Sequence, residues 1–151
     1  MPLSKAHIDT NPHAVALDIP VLASELERLL PEAVFGFLLG SAAATGVVRP
    51  HGDLDLAFFL KLRTTADFDF QARVEQAVEP QTQGRVRVDM GVLNQADPVF
   101  RFEALKGKRL FCRDDEVYME FFSRASRDYE TQMFHYARQR MYRLTRKLAC
   151  N

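Results

Sequence analysis

The chain has 151 residues, enough for one domain with its own core, and its 47% hydrophobic and 26% charged residues are those of an ordinary globular protein. The formal net charge is zero, so no overall field favours a membrane surface, and direct binding of nucleic acid is not expected. The sequence has no signal-peptide-like apolar segment and no run of about 20 apolar residues, and Cys112 and Cys150 have no metal-ligand spacing. These features predict a cytoplasmic protein.

The N-terminal part of the chain changes character near Pro20. Residues 1–19 are polar and proline-broken, which predicts a mobile or loosely docked lead-in to a single domain over residues 20–151. From Pro20 leucines recur at helical spacing until Pro31 ends the run, so we expect a helix that packs on a sheet. The short apolar run at 34–39 then predicts a buried strand.

This strand ends on Gly40-Ser41, and a small-residue loop leads to Asp53 and Asp55 on a second strand, residues 53–60. Glycine lets the backbone approach a ligand closely, and the Ser41 hydroxyl with loop N–H groups can hold phosphate oxygens. Carboxylates at i and i+2 of a strand share a face, with Cβ atoms roughly 6.5–7 Å apart. Their repulsion predicts a cation between them, and carboxylate oxygens favour Mg²⁺. The alternative is a hairpin loop followed by two solvated aspartates.

The next elements add a third carboxylate. Residues 64–78 predict a helix, with Thr64 and Asp67 as its capping box, and residues 80–84 predict a turn. Residues 85–92 alternate as a strand that turns its arginines and Asp89 away from the core. Asp89 then either joins Asp53 and Asp55 or forms a salt bridge with Arg85 or Arg87.

The C-terminal third predicts a short helix at 98–106, an edge strand at 108–112 and one long helix from Asp114 onward. From residue 123 to the end, seven basic residues face two acidic ones, so the far end of this helix is a candidate surface for a partner or for phosphates. Its apolar stripe, which we expect to be mainly core, is Tyr118, Phe122, Ala125, Tyr129, Met133, Tyr136, Met141, Leu144 and Leu148. The whole pattern predicts an α/β (α+β) fold, a small mixed sheet flanked by helices.

Gly40-Ser41 followed by Asp-Leu-Asp-Leu at 53–56 resembles the signature of the polymerase-β-type nucleotidyltransferases, in particular their minimal nucleotidyltransferase (MNT) domains. Residues 88–116 are similar to the middle of the MNT antitoxins, the MntA proteins, that pair with HEPN-domain toxins. The chain departs from the family at Ala42-Ala43-Ala44, where an arginine often follows Gly-Ser, and in a slightly longer loop to Asp53. Arg49 either replaces that arginine or is solvated.

The resemblance implies a polymerase-β-like nucleotidyltransferase fold and Mg²⁺-dependent transfer of AMP from ATP to a tyrosine hydroxyl of a HEPN ribonuclease toxin. It implies that Asp53, Asp55 and Asp89 are catalytic and hold the metal in a two-metal site. Nucleotide binding would fall to Gly40, Ser41 and Arg49. Two alternatives remain: a catalytically impaired antitoxin that acts by binding and occlusion, and a small-molecule nucleotidyltransferase of the aminoglycoside type.

Overall fold

The computed structural model describes residues 13–149, so most of the predicted lead-in, residues 1–12, lies outside the described part. Within it the elements follow in the order β1 (Val15–Ala16), α1 (Ile19–Leu29), β2 (Ala33–Leu39), α2 (Gly40–Thr45), β3 (Val47–Val48), β4 (Asp53–Leu60), α3 (Phe68–Thr82), β5 (Arg87–Val92), α4 (Pro98–Leu105), β6 (Lys108–Cys112) and α5 (Asp115–Ala149). The first of these strands, in the C-terminal part of the predicted lead-in, pairs with β3.

A four-stranded sheet forms the centre, in the order β5-β4-β2-β6. Strands β4 and β5 are parallel, because α3 carries the chain back across the sheet between them, whereas the other neighbours are antiparallel. The predicted mixed sheet flanked by helices is confirmed, as is the edge position of β6.

Strand alternation gives the sheet two buried faces. Leu54 and Leu56 point to one face, where they pack with Leu22 of α1 and Val74 of α3. The opposite face packs on α4 and α5 through the phenylalanines of β2, Ala57 and Phe121. Full burial of each large apolar side chain stabilises the fold by about 1.5–3 kcal/mol. The polar side chains of β4 are therefore confined to its first residues, at one end of the sheet.

The structure corrects the predicted loop after Gly40. Residues 40–45 form a short helix, α2, in which three consecutive alanines favour helical backbone, and Gly46 ends it with a φ of +72°. Val47–Val48 then form β3, which pairs with β1, so helix and strand replace part of the predicted loop between the two main strands.

The predicted capping box of α3 is also wrong. The N-cap is Asp67, whose carboxylate accepts the Phe70 N–H at 2.8 Å, while the Thr64 hydroxyl donates to the Lys61 carbonyl at 2.6 Å. The helix continues past Pro80, where a turn was expected, and β5 begins at Arg87, two residues later than predicted.

The last helix is confirmed, but only its first half belongs to the core. Its buried residues are Phe121 and Ala125, and Tyr129 stacks on Phe102 of α4 with ring centroids 3.9 Å apart. All residues at 134–149 are exposed, so the predicted apolar stripe ceases to be core there. At 1.5 Å per residue these 16 residues extend about 24 Å. No helix among residues 13–149 combines the length and apolar character needed to cross a bilayer.

Candidate active site

Parallel pairing brings the three predicted carboxylates to the same end of the sheet. Asp55 lies directly opposite Asp89 of β5 on one side and Leu39 of β2 on the other. Asp53, two residues earlier on the same strand, lies opposite Arg87. Because residues two apart on a strand share a face, the three carboxylates lie together on the face that packs on α4 and α5.

The charges of this cluster are only partly balanced. Burial raises the pKa of Asp55, the neighbouring charges of Asp89 and Asp53 raise it further, and Arg87 opposes them. The Arg87 guanidinium donates to Asp89 through Nη2, at 3.1 Å from Oδ1 and 3.2 Å from Oδ2. The salt bridge that the sequence offered as an alternative role for Asp89 is therefore present, in a position that does not exclude a catalytic role.

Gly40 joins this cluster because the chain turns there with a φ of +69°. The positive φ favours glycine, and a Cβ built on Gly40 would lie 3.1 Å from Oδ2 of Asp55, so the turn lies close against this carboxylate. Ser41 follows on the exposed side of α2. The sequence prediction that the Gly-Ser turn lies beside the carboxylates thus agrees with the geometry.

Arg49 lies in a different setting from the other predicted nucleotide-binding residues. It is exposed in a turn that its own carbonyl oxygen closes by accepting the Gly52 N–H at 2.9 Å. Among residues 13–149 its guanidinium has no hydrogen bond or ion pair. The structure therefore does not tie Arg49 to the carboxylates.

The donor atoms of the cluster suit Mg²⁺, which prefers carboxylate oxygens. In residues 13–149, however, no three Asp, Glu, His or Cys side chains are placed so that they would hold a metal ion together. Arg87 instead contacts Asp89. The donor chemistry fits the metal, and Arg87 takes up part of the acceptor capacity of Asp89.

Two lysines that the sequence did not assign to the site lie beside Gly40. A cleft of about 410 Å³ is lined by Gly40, Ala43, Ala44, Glu103, Lys106, Gly107 and Lys108. A Cβ on Gly107 would lie 2.5 Å from the Leu38 carbonyl oxygen, so the turn between α4 and β6 lies directly against the end of β2. The Lys-Gly-Lys pattern of this turn was the sequence feature that could have indicated the two lysines. A lysine at a sheet edge, however, is also a common protection against strand pairing.

Several solved toxin–antitoxin structures share this fold. A toxin–antitoxin structure with AMP-PNP has a TM-score of 0.60 at 18% identity, covering 85% of this chain and 98% of that one. A complex of tri-AMPylated HEPN toxin and MNT antitoxin from Shewanella oneidensis has a TM-score of 0.55 at 17% identity, covering 84% and 98%. An MntA–HepT toxin–antitoxin structure has a TM-score of 0.53 at 17% identity, covering 82% and 96%.

Sequence comparison gives the family. No curated protein sequence matches the chain significantly. The family described as Polymerase beta, Nucleotidyltransferase matches residues 22–116, which include the Gly-Ser turn and all three carboxylates. Together with the shared architecture, this confirms the polymerase-β-like fold and the predicted resemblance to MntA antitoxins. The chain belongs to the polymerase β nucleotidyltransferase family.

Proposed function

We propose that this protein is an antitoxin that transfers AMP from ATP, in a Mg²⁺-dependent reaction, to a tyrosine hydroxyl of a HEPN-class ribonuclease toxin. The observation that carries the proposal is the β4–β5 register, which sets Asp55 opposite Asp89 and beside Asp53, next to Gly40. Family membership supports nucleotidyl transfer. A fold neighbour that is a complex with a tri-AMPylated HEPN toxin supports the acceptor.

In the proposed reaction the acceptor oxygen attacks the α-phosphorus of ATP, the bond to the β-phosphate oxygen breaks, and pyrophosphate leaves. Asp89 orients the acceptor hydroxyl and takes its proton. Gly40 and Ser41 present backbone N–H and hydroxyl groups to the pyrophosphate end. Mg²⁺ held by Asp53, Asp55 and Asp89 would supply neutralisation of the charge on the phosphates.

The exposed half of α5, residues 134–149, is the surface that we propose for docking the toxin. It carries five basic side chains, and no acidic residue follows Glu130. Like charges such as Arg140 and Arg143 repel at this spacing, and a short helix without tertiary support is marginal in water. The large apolar side chains exposed there are Phe134, Tyr136, Met141, Tyr142, Leu144 and Leu148.

These features favour one kind of occupant. A second copy of the chain that docked through the same surface would bring its five basic side chains against the five of the first copy. Nucleic acid phosphates would neutralise the charge but leave the apolar side chains in water. A toxin surface that is acidic and partly apolar would neutralise the charge and also cover the apolar side chains. Its contact would stabilise the helix.

The direct test is incubation with α-labelled ATP, Mg²⁺ and the purified product of the adjacent reading frame, followed by mass spectrometry of that product. We expect AMP on a tyrosine. The matched control is the Asp53→Asn/Asp55→Asn variant, which should leave the product unlabelled. Absence of label with the parent protein would contradict the proposal, and label on an added aminoglycoside instead would show the small-molecule class.

Occlusion without catalysis is the second candidate, favoured by the Arg87–Asp89 ion pair and by the absence of a cation from Ala42-Ala43-Ala44. The two candidate functions differ in the state of the toxin after it is separated from the antitoxin. A modified toxin stays inactive once the antitoxin is removed, whereas an occluded toxin regains its ribonuclease activity. Ribonuclease assays on toxin separated by denaturation and refolding distinguish them.

A further inference from the structure

We propose that Lys106 and Lys108 form a binding site for the phosphate groups of the nucleotide, in the cleft beside Gly40. This inference rests on the proposed function, because it assigns the phosphate-binding residues of the same site. It replaces Arg49, which the sequence offered for this role and which lies exposed in a separate turn.

Strand order places Lys108 on the other side of β2 from the carboxylates, and Lys106 ends α4 just before it. Strand β2 lies between β4 and β6, with Leu39 opposite Asp55 and Leu38 opposite Lys108. Gly40 follows directly on Leu39, so it lies between the two groups. Adjacent strands are about 4.7–4.9 Å apart, which puts the β4 and β6 backbones roughly 10 Å apart. By strand alternation Lys108 is set on the face of the sheet opposite to Asp55, so the lysines would reach the nucleotide at the end of the sheet, where Gly40 lines the cleft together with both of them.

The side of the cleft formed by α2 brings no positive charge. It consists of Gly40, Ala43 and Ala44, whose small side chains leave room for a ligand but cannot bind an anion by charge. The opposite side, at the end of α4 and the start of β6, supplies both lysines. Among residues 13–149, the cations that line this cleft therefore both come from the end of α4 and the start of β6.

The two lysines differ in their ion pairing. Lys106 Nζ lies 3.0 Å from Glu103 Oε1, in an exposed ion pair that a phosphate oxygen can displace, and 5.1 Å from the centre of the Phe102 ring. Lys108 has no ion-pair partner among residues 13–149. The next cation along the chain, Arg109, does not line the cleft, and its guanidinium carbon lies 4.5 Å from the centre of the Tyr118 ring. The cleft thus has one displaceable and one unpaired cation, both compact charges suited to phosphate oxygens.

Calorimetric titration of ATP and of AMP in Mg²⁺ tests the site without relying on activity. The test variant is Lys106→Gln/Lys108→Gln, and the matched control, Lys61→Gln/Arg63→Gln, removes two exposed charges beyond the other end of β4. We expect the test variant to bind ATP at least about tenfold more weakly and AMP within about twofold of the parent. The control should match the parent for both ligands. Glu103→Gln, which frees Lys106, should tighten ATP binding.

Each other outcome has a defined meaning, provided that circular dichroism and the unfolding midpoint show a parent-like fold. Equal weakening for ATP and AMP would overturn the inference, because it would place the lysines away from the terminal phosphates. Unchanged ATP affinity in the test variant would also overturn it, while leaving the proposed function intact. A parent protein that binds no ATP in Mg²⁺ would overturn both.

Discussion

The Arg87 guanidinium contacts both carboxylate oxygens of Asp89, two residues further along the same strand. The register also sets Arg87 opposite Asp53 and Asp89 opposite Asp55, so a single cation lies within a cluster of three carboxylates. This arrangement lowers the electrostatic cost of bringing like charges together in the absence of metal. It also means that a metal ion binding to Asp89 competes with Arg87.

We therefore expect Arg87→Gln to bind Mn²⁺, used as a spectroscopic substitute for Mg²⁺, about fivefold more tightly than the parent in the absence of nucleotide, since loss of the competing ion pair is worth roughly 1 kcal/mol. Electron paramagnetic resonance of free Mn²⁺ measures the affinity. Arg85→Gln is the control, because Arg85 is exposed and precedes the strand. Unchanged or weaker Mn²⁺ binding in Arg87→Gln would show that Arg87 does not compete with the metal.

Asp53→Asn and Asp55→Asn should each lower AMP transfer by at least about 100-fold, because each removes a carboxylate proposed to hold the metal. Neither side chain belongs to the apolar core, so the fold should persist. Labelling with α-labelled ATP measures transfer, and circular dichroism reports on the fold. Parent-like transfer by the double asparagine variant would eliminate the carboxylate mechanism.

Stability should respond to pH through Asp55. Its folded-state pKa is raised by burial and by its acidic neighbours, so the folded protein loses stability as the pH rises from about 3.9, the usual unfolded value, through the raised pKa. An asparagine at position 55 carries no charge at pH 7 or at pH 3. In chelator, Asp55→Asn should therefore have a higher Tm than the parent at pH 7, and the difference should shrink as the pH approaches 3.

The control for this measurement is Asp128→Asn, which changes an exposed carboxylate on α5 and should not reproduce the pH-dependent difference. A lower Tm of Asp55→Asn than of the parent at pH 7 would mean that the charge on Asp55 is stabilising, contrary to the burial and repulsion described above.

Charge reversal on α5 tests the docking surface. Arg140→Glu/Arg143→Glu should weaken binding of the toxin at least about tenfold, with a smaller dependence on salt than in the parent, because attraction to an acidic partner is lost. Arg124→Glu/Arg127→Glu makes the same change at the same spacing, on the half of α5 that packs on the domain, and should have little effect. Surface plasmon resonance at two salt concentrations provides the measurement. If both double variants weakened binding equally, residues 134–149 would not be the docking surface.

Local pattern was sufficient to predict most elements of this fold. The leucine spacing after Pro20 predicted α1, short apolar runs and alternation predicted the four strands of the central sheet, and the Gly40-Ser41 and Asp53-x-Asp55 motifs predicted which residues would meet. Such features depend on residues close in sequence, whose geometry follows from helix and strand periodicity. Two local predictions were wrong: residues 40–45 form a helix because three alanines favour helical backbone, and Asp67 rather than Thr64 caps α3. The β1–β3 pairing, which joins segments far apart in the sequence, was not predicted.

The sequence by itself determined the kind of chemistry, since carboxylates two apart on a strand must share a face whatever the rest of the chain does. Only the tertiary structure decided what surrounds them. Strand order set Asp55 opposite Asp89, and the turn before β6 placed Lys108 on the other side of Gly40. These neighbours come from segments far apart in the chain, and their proximity depends on which strands pair and in which register. Burial of the whole core determines that pairing and register.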